Sequence, residues 1–332
     1  VIIINIQEVA KIANVSVATV SRVLNSSGPV SEKTRERVLE VAKKFGYEPN
    51  LLGRHLRLKQ TKIILVMLST LANTFCGKVI IGISKQAEKY GYRIMICATN
   101  DNAENENAYL NLVKNKLADG IIILNSTLTE KQMKDISKLF PVVQCNEYID
   151  TKTTPFVAID NRLAAYDATS ALIANGRKRI VFMGVKNNLI SSKLRFEGYK
   201  KALSDNDIPF DEALVIYGNY GYRNGLAVVN DFLKKEIPFD AIFAISDRMA
   251  AAAITSLKKN SIKIPEDVDI IGFDNIDISY IMEPMLSTVA QPQSELGSAA
   301  FELLYKRMKN EKTKNVIVKH KLILRKSTKK GE

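Results

Sequence analysis

The chain has 332 residues, 46% hydrophobic and 25% charged, with a formal net charge of +13 at pH 7. That balance belongs to a globular protein of more than one folding unit and excludes a fibre or a disordered chain; no apolar run reaches the roughly 20 residues that cross a bilayer, so no membrane contact and a cytoplasmic location are expected. Cys76, Cys97 and Cys145 lie far apart without ligand spacing, which predicts buried, reduced thiols and neither a disulfide nor a metal site.

In chain order, the apolar Val-Ile-Ile-Ile opening stops at Asn5, too short for a signal peptide or an anchor. Asn5 with Glu8 three residues on makes a capping box before a helix whose inner face is Ile6, Val9, Ala10 and Ala13. Asn14 ends that helix, Val15 packs in the turn, and Ser16 caps a second helix with Val20, Val23 and Leu24 inward. A third helix from about Ser31 to Phe45, capped by Ser31, covers both with Val38, Leu39, Ala42 and Phe45. Two short helices joined by a tight turn make a helix-turn-helix, which lays its second helix in a DNA major groove. The outward Val17, Ala18, Thr19, Ser21 and Arg22 are small or polar with one guanidinium, so apolar contacts to thymine methyl groups and an arginine pair to guanine are available. Lys33, Arg35, Lys43 and Lys44 are candidate phosphate contacts. Charge alone does not locate such a site: the first 60 residues carry ten Lys or Arg against five Glu, whereas residues 306–332 carry eleven against two.

The run Ile6-Gln7-Glu8-Val9-Ala10-Lys11-Ile12-Ala13-Asn14-Val15-Ser16-Val17-Ala18-Thr19-Val20-Ser21-Arg22-Val23-Leu24-Asn25 resembles the DNA-binding signature of the lactose-repressor (LacI/GalR) family of bacterial transcriptional regulators. The resemblance implies that Val17, Ala18 and Arg22 read bases while Ser16, Thr19, Ser21 and Asn25 position the backbone. It divides the chain into a helix-turn-helix domain (1–48), a hinge helix and linker (49–60) and an effector-binding and dimerisation domain (61–332). The hinge, Leu51-Leu52-Gly53-Arg54-His55-Leu56-Arg57-Leu58, is too short to hold a helix in isolation. By resemblance it orders against its dimer mate on DNA and pushes Leu56 into the minor groove, a wedge that unstacks a base step; Asn50 and Arg54 are expected to join the DNA contacts. Gly53 departs from the family's usual alanine, which costs about 1 kcal/mol inside a helix.

From Lys62 apolar runs alternate with helical patterns. Strands are expected at 63–68, 93–98, 120–124 and 142–146, with helices at 79–90 and 104–116. The rhythm then restarts with helices at 162–175, 193–205, 223–234 and 248–259 and strands at 180–183, 214–217, 241–245 and 269–273. Near-continuous apolar strands between helices indicate parallel sheets covered on both faces, here two Rossmann-like lobes with a ligand outside the carboxyl ends of their strands. The stretches Arg195-Phe196-Glu197-Gly198-Tyr199, Phe239 to Asp247, Ile264 to Val268, Gly272-Phe273-Asp274 and Leu286 to Pro292 resemble the sensor domain of the same regulators, itself similar to periplasmic sugar-binding proteins. The fold class expected is therefore an all-α head on an α/β sensor of periplasmic-binding-protein type. Its N-lobe should hold about 61–159 and 291–315, and its C-lobe about 160–290 and 316–332, with three crossings near 157–160, 288–290 and after Lys314. Arg195, Asp247 and Asp274 are the charged candidates for the cleft: Arg195 offers a bidentate fork to a hydroxyl pair or an acidic group, and the aspartates accept from ligand hydroxyls, while the resemblance leaves phosphorylated sugars, sugar acids and purines open as ligands. Phe75 could stack on a sugar face, and Asn73, Asn146, Asn219 and Tyr220 could complete the ring.

No Gly-rich phosphate loop or dinucleotide fingerprint follows the strand at Ile63, and His55 and His320 lack a visible nucleophile or metal partner. No catalytic residue, metal or cofactor is expected. The reading is a repressor of carbohydrate-utilisation genes, acting as a homodimer on a near-palindromic double-stranded operator and controlled by a sugar or sugar derivative. A corepressor-dependent or protein-partnered regulator of the same family stays open, as does a solute-binding protein without regulatory role. The final residues show no leucine heptad to join dimers, and the basic tail is expected to be a solvated face.

Overall fold

The computed structural model describes residues 4–25, 27–47 and 60–329. The chain divides into two units, Val1–Thr61 and Lys62–Glu332.

In the first unit α1 (Ile6–Ile12), α2 (Val17–Leu24) and α3 (Glu32–Lys44) pack around Val9, Ala10, Ala13, Val20, Val23 and Val38, with Ile4 joining them. The capping box forms: the Asn5 side chain accepts from the backbone of Gln7 and Glu8, and Glu8 accepts from the Asn5 N–H at 2.7 Å. Asn14 turns the chain with a left-handed φ of 50°, a conformation Asn tolerates well. Ser16 caps α2 through Thr19 N–H at 3.1 Å. Two expectations fail here. Ser31 precedes α3 but its side chain makes no capping bond to the helix backbone, because its hydroxyl donates to Thr34 Oγ1 instead. Leu39 lies on the outer face, 46% exposed, since Val38 and Ala42 already fill the seam.

The second unit holds two six-stranded sheets. The first contains β1 (Ile63–Leu68), β2 (Arg93–Ala98), β3 (Gly120–Ile123), β4 (Val142–Cys145), β5 (Phe156–Ile159) and β11 (Val316–Val318), in the order β11-β5-β4-β3-β1-β2. The second contains β6 (Ile180–Val185), β7 (Val215–Gly218), β8 (Ala241–Ala244), β9 (Asp269–Asp274), β10 (Ser287–Ala290) and β12 (Lys321–Ile323), in the order β12-β10-β9-β8-β6-β7. Pairing is parallel except between β10 and β12. The same winding, repeated, makes two lobes of periplasmic-binding-protein type.

Helices α4 (Thr74–Lys89), α5 (Ala103–Lys114) and α6 (Glu130–Leu139) belong to the first lobe. The second holds α7 (Asn161–Ala174), α8 (Ile190–Asp205), α9 (Tyr222–Leu233), α10 (Asp247–Lys259) and the single turn α11 (Ile278–Ile281); α12 (Gln293–Met308) returns to pack on α4. Helix α4 begins five residues before the expected start because Asn73 caps it, its side chain accepting from Phe75 N–H. Helices α6 and α12 escaped the periodicity reading; a second capping box, Thr129 with Gln132, marks the start of α6.

The chain passes between lobes after β5, after β10 and between β11 and β12. The expected division at 315/316 moves accordingly: Val316–Val318 pairs with Val157–Ile159 in the first sheet, so the third crossing falls at residues 319–320. The expected solvated tail is also corrected as far as Thr328. Arg325, Ser327 and Thr328 are buried, and Ser327 ties Ser287 to Ile270 through its hydroxyl.

Two helix pairs meet at backbone distance through glycine. A Cβ on Gly297 of α12 would lie 2.0 Å from the Val79 carbonyl oxygen of α4, and one on Gly198 of α8 would lie 2.1 Å from that of Arg162 in α7. Gly297→Ala is therefore expected to wedge α12 from α4 and lower stability by about 1–3 kcal/mol, read as a lower urea midpoint with unchanged secondary structure by circular dichroism.

Candidate functional site: an exposed helix face and an interlobe cleft

On α2, Val20 and Val23 are buried while Ser16, Val17, Ala18 and Arg22 are exposed and Thr19, Ser21 and Asn25 half-buried. Small side chains on Val17, Ala18 and Ser21 let this face approach a base-pair edge closely, and Arg22 supplies the long donor. Ser16 and Thr19 share a hydrogen bond at 2.9 Å, and Asn25 donates to the Ser21 carbonyl at 2.7 Å, so Asn25 also closes the end of its own helix. Lys33, Arg37, Lys43 and Lys44 are exposed on α3, whereas Arg35 lies 3.7 Å from Glu32 and shares its charge locally. Asn50, Arg54 and Leu56 lie outside the described residues.

Between the lobes of the second unit lies a cleft of about 810 Å³, formed by loops at the carboxyl ends of the strands. Of the residues singled out in the sequence, Asn73, Phe75, Asn146, Arg195, Tyr220 and Asp274 line it. Asp247 and Asn219 do not. Asp247 is fully buried beneath the floor, where it accepts from the Ile276 N–H at 2.8 Å and the Thr288 hydroxyl at 2.5 Å. It ties the turn after β9 to β10, and it is the preceding Ser246 that faces the cleft. Asn219 folds its side chain into a local turn, accepting from Gly221 N–H at 2.8 Å.

Arg195 reaches the floor from α8, only 4% exposed. Its Nε donates to Asn161 at 2.9 Å, its Nη1 to the Ile245 carbonyl at 2.7 Å, and Phe273 lies 3.6 Å beneath the guanidinium. Burial in such a place is tolerated because the charge is hydrogen-bonded and faces two carboxylates. Asp274 sits at the end of β9 with φ 111°, a strained value for a residue with a side chain. Two partners hold it there: Gln291 donates to its carboxylate at 2.7 Å, and Gln293 to its carbonyl at 2.8 Å. Burial raises the Asp274 carboxyl to about 6, against the pull of Arg195 and the Gln291 bond.

Glu147, which the sequence reading missed, enters the cleft from the first lobe two residues past β4. Burial pushes its carboxyl up, opposed by the Ser191 hydroxyl and Arg195. Ser191 belongs to the second lobe and donates to Glu147 through both its hydroxyl and its N–H, the latter at 3.3 Å, so this pair spans the cleft. Lys78 on α4 meets Asp277 at 2.8 Å, and Arg248 donates to the Ala72 carbonyl at 3.5 Å, adding two more links between lobes. Gln291, just past β10, was also missed. Both escaped because a polar residue beyond a strand end is ordinary in a loop, and only the fold shows which strand ends converge.

Among the described residues no group of three His, Cys, Asp or Glu side chains could hold a metal ion, and no helix is long and apolar enough to cross a membrane.

Residues 5–50 match the family described as bacterial regulatory proteins, lacI family, and residues 61–326 match that described as periplasmic binding proteins and sugar binding domain of LacI family. The chain is 35% identical over 330 residues to the catabolite control protein A of Priestia megaterium, covering 98% of this chain and 99% of that one. Among solved structures it resembles a complex of the transcriptional regulator CelR with cellobiose (27% identity, TM-score 0.74, 98% and 99% coverage). It also shares the fold of a lac repressor dimer bound to operator and the anti-inducer ONPF (23% identity, TM-score 0.89, 98% and 99% coverage).

The raised Asp274 carboxyl sets a pH signature. In the folded chain it protonates near 6, and unfolded near 3.9, so between these values the folded form binds more protons and this group's contribution to stability falls as pH rises. Asp274→Asn, which keeps the shape and removes the charge, is expected to raise Tm by about 2–4 °C at pH 7.5, a gain that shrinks toward pH 4.5. Differential scanning fluorimetry at both pH values checks this; a variant less stable at pH 7.5 than the parent would contradict it.

Proposed function

Because this chain belongs to the LacI family of bacterial regulatory proteins and is thereby a sequence-specific DNA-binding transcriptional regulator, we propose that a sugar or sugar derivative in its cleft controls repression of carbohydrate-utilisation genes. The observation that carries this is the pairing, in one chain, of an exposed face of small side chains on α2 with a cleft between two lobes that carries polar and charged side chains. Phe75, a buried aromatic on the cleft wall, offers a surface for a sugar's C–H face, and Asn73, Asn146, Asp274 and Arg195 offer hydrogen bonds. The complex of CelR with cellobiose, at 27% identity, supports a carbohydrate as ligand. On this reading the protein works in the cytoplasm.

A single α2 reads few base pairs, so specificity calls for two heads on a near-palindromic operator. Apolar surface on the second unit supports a homodimer: Met95 and Ile96 are exposed on β2, an edge strand, and Ile281 on α11 is 79% exposed beside Tyr280. Exposed apolar side chains on an unpaired edge suit a partner surface. In the hinge, Leu56 is the proposed minor-groove wedge, with Asn50 and Arg54 beside it on DNA.

Operator fragments selected from random duplexes, titrated by fluorescence anisotropy at fixed salt, test the whole reading; salt is fixed because phosphate contacts make affinity steeply salt-dependent. A sugar that weakens specific binding marks an inducer and one that strengthens it a corepressor. Silence of every sugar would move control to another signal. Arg22→Ala is expected to cost about 1–3 kcal/mol on the selected operator and little on random DNA. Ile281→Asp is expected to shift the chain toward monomer in sedimentation velocity, and an unchanged dimer would remove α11 from the interface.

A further inference from the structure

The balance of donors and acceptors in the cleft narrows the ligand beyond the word sugar, given the sugar-sensing reading of that cleft. Among the described residues its charged lining consists of three carboxylates, on Asp101, Glu147 and Asp274, against two guanidinia, on Arg195 and Arg248. Neither cation is idle. Arg195 already donates to Asn161 and the Ile245 carbonyl and rests on Phe273, and Arg248 donates across the cleft to Ala72. On the acceptor side, Gln291 spends its amide N–H on Asp274, and its own Oε1 is buried without a hydrogen-bond partner. A buried amide oxygen left unmatched disfavours the empty state and calls for a donor from outside. No Gly-rich loop offers a row of backbone N–H groups for a phosphate. An anionic group entering here would sit near the half-buried carboxylates of Glu147 and Asp274, where water screens less and like charges interact more strongly than in bulk water.

We propose that the ligand of this cleft is a polyhydroxylated molecule without phosphate or carboxylate, and that an ammonium beside its hydroxyls binds better than a neutral group at the same position. Hydroxyl and ammonium N–H groups supply the donor that Gln291 Oε1 lacks and add to those Asp274 and Glu147 receive from Gln291 and Ser191, and the remaining N–H groups of Arg195 serve ligand oxygens.

Isothermal titration calorimetry of the full chain at pH 7.5 tests this with matched sets: each parent sugar, its 2-amino sugar, its 6-phosphate and its uronic acid, across common hexoses and the disaccharides built from them. In the set that binds, the 6-phosphate and the uronic acid are expected at least about tenfold weaker than the parent, and the amino sugar tighter. In the double variant Glu147→Gln with Asp274→Asn the penalty on the 6-phosphate should shrink and the amino-sugar advantage disappear. A phosphate or acid that binds as tightly as its parent overturns the proposal, as does the absence of binding by every neutral and amino sugar. A neutral or amino sugar that binds in the calorimeter but leaves operator affinity unchanged would instead sink the regulatory reading and spare this one.

Discussion

Three chain crossings between two sheets are the constraint on which the sensor depends. Each sheet is completed by a strand that arrives only after the chain has built the other: β11 returns to the edge of the first, and β12 to the edge of the second. The lobes therefore cannot separate without tearing out edge strands; what remains is rotation about residues near 160, 291 and 319. The third crossing is anchored, because His320 is buried beside β12 and meets Asp167 of α7 at 2.8 Å. A ligand between such lobes acts through the angle they adopt, and it shifts that angle only by as much as it binds one angle better than another. The links between Glu147 and Ser191 and between Lys78 and Asp277 already favour one angle. Lys78 and Asp277 are exposed and contribute little, whereas the Glu147 contact is made inside the cleft, where water competes less and a ligand hydroxyl competes directly.

The floor of the cleft shows how two aspartates of similar appearance divide their work. Asp247 is structural: both its oxygens are taken by Ile276 and Thr288, and burial holds its carboxyl well above the usual carboxylate range. That fixed turn delivers Asp274, with its strained backbone, into the cleft. Arg325 braces the same turn, donating to the Leu286 carbonyl and the Asn275 side chain while Tyr280 covers its guanidinium. The charge at Asp274 thus rests on a platform in which Asp247, Thr288 and Arg325 are tied by hydrogen bonds. Strain of this kind persists only where the surroundings over-determine it, and it is placed where a ligand would be held.

What was legible in the sequence follows from what local pattern can encode. The caps of α1 and α2 and their buried faces are set within a few residues, so Asn5, Ser16, Val20 and Val23 could be placed from sequence alone. The two sheets were legible for a similar reason, because buried parallel strands are short apolar runs. Pattern could not say whether Ser246 or Asp247 faces the cleft, since both lie where β8 gives way to α10 and only the position of β10 decides. Nor could it place Val316–Val318, three residues whose partner strand lies some 160 positions earlier. Glu147 and Gln291 are matters of convergence: each is unremarkable beside its own strand and becomes part of a site only when strand ends from two lobes meet.

Net charge, the first hint in the composition, proves a poor guide to where nucleic acid would bind. The basic excess is greatest in residues 306–332, yet Arg325 is buried against the turn that shapes the cleft and Lys321 lies on β12. Arg325 serves the cleft, and most of the other basic side chains of this segment are exposed. The face of α2 carries one arginine among small side chains, a surface that gains little from general attraction to phosphates and much from shape. Small side chains bring the helix backbone close to base edges, so a mismatched base loses contact as well as hydrogen bonds. On the homodimeric reading proposed above, a second copy at fixed spacing adds the specificity that one such face lacks.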